Sequence, residues 1–100
     1  MTDRELLELA AKAAGIELDW FGDGTPAIKE KDENIDPVWA FMDPWNPLTD
    51  DGDALRLAVK LGMFMRGIVR DIPDGEFIKD PYAATRRAIV RAAAEIGRTL

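Results

Sequence analysis

Residues Trp45 to Met63 read WNPLTDDGDALRLAVKLGM, and they decide how the middle of the chain folds. Three aspartates crowd Gly52, which is typical of a metal-binding loop or of the beginning of a helix. Thr49 or Asp50 can cap a helix, and each aspartate in its first turn would stabilise it by ~0.3–1 kcal/mol. Apolar residues at helical spacing follow. We therefore predict a helix over residues 50–61 that is deeply packed, because its polar stripe is narrow.

The ligand spacing of this stretch argues against a metal site. Placing Gly52 at the glycine position of an EF-hand loop puts Pro47 at its first position and Ala58 at its last. Neither side chain can bind calcium, and the last position requires a bidentate glutamate. The Gly-Lys-Ser/Thr sequence of a phosphate-binding loop is also missing. The sequence thus predicts a capped helix, with no metal and no cofactor.

A helix over residues 3–14 is predicted at the N-terminus. Thr2 and Glu5 have the spacing of a capping box, and Gly15 provides a left-handed C-terminal cap. Between this helix and the one at 50–61, the alternation over 16–20 predicts a strand, and 27–30 is a possible second strand. Residues 31–48 contain three prolines, so we predict an ordered aromatic loop that lies over the core.

The C-terminal part of the chain is predicted to form a hairpin over 63–79, turning at Pro73-Asp74-Gly75, and then a helix over 81–98. Asp80 caps that helix, and Pro81 occupies its first position. Its apolar line consists of Tyr82, Ile89, Ala93, Ile96 and Leu100. Arg87, Arg91 and Arg98 lie on the opposite side. Arg86 is only about 40° from the apolar line, so it should snorkel or pair with an acid from elsewhere.

These elements predict one α+β domain over residues 1–100: an α-β-α sandwich of three helices layered on a small, largely antiparallel sheet. The chain contains no His, Cys, Ser or Gln, so the usual nucleophiles and general bases are missing and we predict no enzyme. Its N-terminus does not resemble a signal peptide, and no window is long and apolar enough to cross a bilayer. We expect a cytoplasmic protein and no membrane partner.

Charge is unevenly distributed along the sequence. The net charge is −6, but residues 1–53 hold 14 acids and four bases (−10), whereas residues 54–100 hold five acids and nine bases (+4). Two explanations are open: the two halves attract each other within one fold, or the asymmetry marks an interaction surface.

The run from Trp45 to Met63, together with DPYAATRRAIVRAAAEIGR over residues 80–98, resembles the phage ABA sandwich domain family. The resemblance is carried mostly by residues 39–62 and 80–98. It implies a bacteriophage or prophage origin, action inside a bacterial host, and helices layered on a small sheet. The family has no assigned activity, so no catalytic or ligand residue is transferred.

We therefore expect a phage accessory protein that acts by binding a phage or host protein. The candidate binding residues are Trp39, Trp45, Arg87, Arg91 and Arg98. For each, a structural role is the alternative: tryptophans that fill the core, and arginines that form a solvated helix face. Nucleic-acid binding through the arginine stripe is a second hypothesis, although a charge of −6 opposes it. Acidic DNA mimicry against a host nuclease or repressor is a third.

Overall fold

The computed structural model describes residues 1–32, 39–62 and 74–100. Within these ranges the elements are α1 (Asp3–Ala14), β1 (Leu18–Trp20), β2 (Pro26–Asp32), β3 (Trp39–Pro44), α2 (Asp51–Lys60), α3 (Asp74–Lys79) and α4 (Pro81–Arg98). The three strands form an antiparallel sheet in the order β1-β2-β3. The predicted α+β class is confirmed. The stacking of helices and sheet into α-β-α layers stays a prediction.

Helices α1 and α4 form the centre of the fold. The predicted caps of α1 are confirmed: the Thr2 hydroxyl accepts a hydrogen bond from the Glu5 N–H at 3.1 Å, and Gly15 has a φ of 70°. The two helices run side by side in the same direction, with Arg87 against Asp3 near one end and Lys12 against Leu100 near the other. Most buried side chains on the facing surfaces are small, which lets the two backbones approach closely. The buried residues of the pair include Ala10, Ala11, Ala14, Ala93, Ala94 and Gly97.

Gly97 lies at the closest approach of this pair. A Cβ atom added there would overlap the backbone carbonyl of Leu9 in α1. Glycine is a poor helix former, so its place inside α4 is explained by the space it leaves for the neighbouring backbone.

The aspartates of Trp45–Met63 are used by the fold itself. Asp50 caps α2 and accepts a hydrogen bond from the Asp53 N–H at 2.8 Å. Asp53 accepts one from the Asn46 N–H at 3.0 Å and pairs with Arg56 at 2.7 Å. The capped helix predicted from this stretch is confirmed, one residue shorter at each end.

The deep packing predicted for α2 is wrong. Its buried residues are Ala54, Leu57 and Ala58, whereas Leu55 is 53% exposed and Val59 is 60% exposed. The reason is that, among the elements that the structure describes, α2 makes its main contact with α4. A second apolar stripe of α2 therefore faces outwards.

The aromatic loop predicted over 31–48 is wrong at residues 39–44, which form β3 and pair with β2 from Asp32 to Ala27. Pro44 is compatible with this strand because β3 lies at the edge of the described sheet, where proline is tolerated. The possible strand at 27–30 is confirmed and extends over Pro26–Asp32. The strand predicted at 16–20 begins only at Leu18, since the Ile16 N–H is bonded to the Ala11 carbonyl in the cap of α1.

A short turn joins β1 to β2. Gly24 adopts a φ of 89°, which glycine accommodates without strain. The Asp23 carboxylate accepts a hydrogen bond from the Thr25 N–H at 2.9 Å. The backbone and side-chain hydrogen bonds from Thr25 lower the pKa of Asp23 below its ordinary value.

The returning strand of the predicted hairpin is also wrong. Residues Glu76–Lys79 belong to α3, whose last turn is followed by a hydrogen bond from the Asp80 N–H to the Glu76 carbonyl at 3.1 Å. This helix packs on α4. A segment of four residues that mixes apolar and polar side chains is compatible with a strand or with a helical turn. Packing against α4 favours the helix. The first strand of the hairpin, at 63–70, lies outside the described residues. The described ranges therefore contain four helices, where three were predicted.

Helix α4 has the predicted bounds and caps, with Asp80 accepting a hydrogen bond from the Ala83 N–H at 3.0 Å. Its buried face is centred to one side of the predicted apolar line, on Val90, Ala93 and Ala94. Three members of that line are substantially exposed: Tyr82 at 69%, Ile96 at 38% and Leu100 at 68%. Helix α4 thus has two apolar sides, and α1 packs against the side with the smaller residues.

Candidate protein-binding surface

The three arginines proposed for binding are each paired with an acid of the same chain. Arg87 contacts Asp3 of α1 at 3.1 Å, and Arg98 contacts Glu95 at 2.9 Å. Arg91 lies 4.0 Å from Glu76 of α3. Each guanidinium therefore has a carboxylate partner that competes with any external phosphate. This arrangement favours the solvated helix face over a nucleic-acid site.

We expect no measurable binding to duplex DNA at physiological salt. The physical reasons are the paired arginines and the net charge of −6, which repels a polyanion. Fluorescence anisotropy of a labelled duplex, titrated at several salt concentrations, measures this. Three phosphate contacts would give a salt slope near −3, at about −0.9 per contact. Such a slope, lost in the Arg91→Glu/Arg98→Glu variant, would contradict the expectation. Arg87 is left unchanged because it also joins α4 to α1.

Of the two tryptophans proposed for binding, the structure describes the side chain of Trp45. Trp45 is 3% exposed and belongs to the hydrophobic core, so it fills the core and is not a surface anchor. The backbone N–H of Trp45 donates a hydrogen bond to the Pro26 carbonyl at 3.0 Å, which holds the end of β3 against β2. Trp39 begins β3, and its side chain lies outside what the structure describes.

Arg86 of α4 forms hydrogen bonds with a residue just before α2 and with the first residue of α2. Its Nε donates to the Leu48 carbonyl at 2.9 Å, and its Nη1 donates to the Asp51 carboxylate at 2.7 Å. The side chain is only 19% exposed. The predicted pairing of Arg86 with an acid from elsewhere in the chain is confirmed, and it joins the two sequence runs that carry the family resemblance.

Removing the Arg86 side chain should lower the free energy of unfolding by a measurable amount. For Arg86→Ala we expect a loss of about 1.5–3 kcal/mol, the usual contribution of a hydrogen bond to a charged group, because the Leu48 carbonyl is left without its donor. Arg91→Ala is the matched control, since an exposed ion pair contributes about 0–1 kcal/mol. Urea unfolding followed by circular dichroism compares the two. Equal losses would mean that Arg86 contributes no more than a surface charge.

An exposed apolar groove lies between α2, α3 and the first half of α4. It has a volume of about 430 Å³, and its lining consists of Asp51, Ala54, Leu55, Phe77, Pro81, Tyr82, Thr85, Arg86 and Ile89. The two charged residues of this lining are paired with each other. Ile89 is 7% exposed, whereas Leu55, Phe77 and Tyr82 keep between 42% and 69% of their surface accessible.

Apolar exposure continues beyond the groove along both helices. Val59 follows Leu55 by one turn of α2, and Ile96 follows Ile89 by two turns of α4. We call Leu55, Val59, Phe77, Tyr82, Ile89 and Ile96 the apolar surface. From Tyr82 to Ile96 it extends ~21 Å along α4, at 1.5 Å per residue. Exposed apolar residues gathered around a groove are typical of interaction sites in soluble proteins.

A second cleft separates α2 from the sheet. It has a volume of about 690 Å³, and Trp45 and Leu57 contribute to its lining together with the acids Glu17, Asp43 and Asp53 and the bases Arg56 and Lys60. The three acids and two bases give this lining a net charge of only −1, and Asp53 is paired with Arg56. Within the described ranges, no three carboxylates come together in a way that could hold a metal ion. None of the helices described is long and apolar enough to cross a membrane.

Comparison with protein-family models, with curated proteins and with solved structures finds no match to the chain. The candidate site therefore depends on the geometry alone. Leu55, Val59 and Phe77 were not predicted from the sequence to be surface residues. A signal was present: Leu55 and Val59 are one turn apart and lie beside the stripe of Ala54, Leu57 and Ala58, so α2 has more apolar residues than one buried face requires.

Proposed function

We propose that the chain is a phage or prophage accessory protein that acts in the cytoplasm of a bacterial host by binding another protein. The apolar surface is the binding site, and an apolar face of a helix in the phage or host partner is its occupant. The observation that carries the proposal is the exposed groove bounded by α2, α3 and α4. Among the residues that the structure describes, the two charged ones in its lining neutralise each other.

The shape of the groove supports a helix as its occupant. Its lining comes from α2 and α4, with Phe77 from α3, and a hydrophobic groove between helices can hold residues i, i+3/i+4 and i+7 of an amphipathic helix. The phage origin is supported by the sequence resemblance alone. Two of the residues that join its two runs, Leu48 and Arg86, are in direct contact.

A comparative capture experiment tests this function. Wild-type chain and the Leu55→Glu variant are immobilised and exposed to lysates of infected and uninfected bacteria. We expect at least one protein that binds the wild type and is lost with Leu55→Glu, because a carboxylate in the groove cannot be desolvated there at low cost. Lys60→Glu is the matched control, since Lys60 is an exposed residue of α2 outside the groove. A set of captured proteins unaffected by Leu55→Glu would reject the apolar surface as the binding site.

A further inference from the structure

We propose that the cleft between α2 and the sheet binds a small zwitterion with an apolar body, the chemistry of a free apolar amino acid. Its volume of about 690 Å³ lies within the range of small-molecule sites, about 300–1,000 Å³. The cleft and the apolar groove have no described lining residue in common. The proposal is therefore independent of the proposed function, and the two sites can be tested separately.

The floor of the cleft is apolar and belongs to the core. Trp45 and Leu57 are 3% and 2% exposed, so their positions are fixed by packing. Ile16 and Ile28 pack against the same core but stay partly exposed towards solvent. The apolar atoms of a ligand can cover these two side chains, and the apolar area removed from water would stabilise the complex.

Charged groups of both signs border this apolar floor. Asp43 of β3 pairs with Ile28 of β2, so the two side chains are neighbours on the same face of the sheet. Lys60 follows Leu57 by three residues on α2, and residues at this spacing are neighbours on a helix surface. The sheet therefore contributes a carboxylate beside the floor, and α2 contributes an ammonium group.

The ion pairs of the described residues leave these groups unoccupied. Within the lining, Arg56 is paired with Asp53. None of the ion pairs between described residues involves Glu17, Asp43 or Lys60. Two carboxylates can thus accept hydrogen bonds from a ligand ammonium, and the Lys60 ammonium can donate to a ligand carboxylate.

The charge balance favours a zwitterion over an ion of one sign. An anion would be repelled by the net charge of −6 and would meet the two carboxylates of the lining. A cation would bring a like charge close to Lys60. A ligand with one group of each sign can use both kinds of partner, and it has no net charge for the protein to repel.

Titration of the isotope-labelled chain with free L-leucine, followed by two-dimensional NMR, tests the proposal. The indole N–H signal of Trp45 reports on the floor of the cleft. We expect a saturable shift of this signal, with a dissociation constant of about 1 mM or lower. N-acetyl-L-leucine lacks the ammonium group, and L-leucine methyl ester lacks the carboxylate. Each should bind at least about tenfold more weakly, because a charge-assisted contact is lost.

Variants separate this cleft from the apolar surface. Asp43→Asn and Lys60→Met should each weaken leucine binding about tenfold, and both should remain folded by circular dichroism because the two residues are exposed. Leu55→Glu is the matched control on α2, and it should bind leucine as the wild type does.

The two analogues and the variants also give the results that would overturn the proposal. Full-strength binding of the methyl ester would mean a cation site, and full-strength binding of the acetyl compound would mean an anion site. No shift of the Trp45 signal at millimolar leucine, or binding unchanged in both Asp43→Asn and Lys60→Met, would equally reject it. The Leu55→Glu capture comparison decides the proposed function in every case.

Discussion

Gly97→Ala is expected to destabilise the protein, although alanine is the better helix former by about 1 kcal/mol. The added methyl group would overlap the backbone carbonyl of Leu9, and a backbone cannot rotate away as a side chain does. Overpacking of a core usually costs about 1–3 kcal/mol, and we expect the upper end of that range or a failure to fold. Denaturant unfolding, followed by circular dichroism, measures the loss.

Gly75→Ala is the matched control for this prediction. Gly75 also lies inside a helix, α3, but an added Cβ there meets nothing within 4 Å. The change should therefore be neutral or stabilising by about 0.5–1 kcal/mol, from helix propensity alone. If Gly97→Ala proved as stable as Gly75→Ala, the close approach of α1 and α4 would be wrong.

Leu57→Ala should have the second large effect. Leu57 is 2% exposed and lies in the core with Ala54 and Ala58 of the same helix. Truncation of a buried leucine costs about 2–5 kcal/mol, from the lost burial and the cavity that remains. The midpoint of urea unfolding should fall accordingly, with little change in the slope of the transition.

Leu55→Ala tests whether the two apolar stripes of α2 differ in burial. Because Leu55 is 53% exposed, its truncation should cost less than about 1 kcal/mol. Similar losses for Leu55→Ala and Leu57→Ala would mean that α2 is buried on both sides. The groove would then be closed, and the candidate binding surface would not exist.

The ends of the helices could be predicted because their signals are local. A capping side chain bonds to an N–H only a few residues away, so Thr2, Asp50 and Asp80 are recognisable without knowledge of the rest of the fold. The same holds for Gly15, whose positive φ ends α1. The Asp cluster before α2 was correctly interpreted for this reason.

Elements that depend on distant contacts could not be predicted in the same way. Strand β3 exists because residues 39–44 pair with β2, and the prolines near it suggested a loop. Helix α3 depends on its packing against α4. The exposure of Leu55 and Tyr82 follows from which side of each helix meets a neighbour, and an apolar pattern alone does not distinguish a buried side from an open one.

The candidate binding residues show the same limit. Arg87 and Arg91 form a stripe in the sequence, but their partners Asp3 and Glu76 come from other helices and could not be assigned from spacing. Trp45 could be recognised as apolar, and only the fold shows that it is buried. What the sequence does contain is the excess of apolar residues on α2 and α4, and this excess is the basis of the proposed site.

Site-specific photo-crosslinking from the apolar surface tests the central claim most directly. A photo-reactive residue is placed at Tyr82, and at Lys60 as the control, in chains expressed in the bacterial host during infection. The account predicts covalent adducts from position 82 with a partner protein, whose crosslinked peptide has apolar residues at helical spacing. Position 60 should give no such adduct. The absence of any intermolecular adduct from position 82, or identical adducts from both positions, would contradict the account.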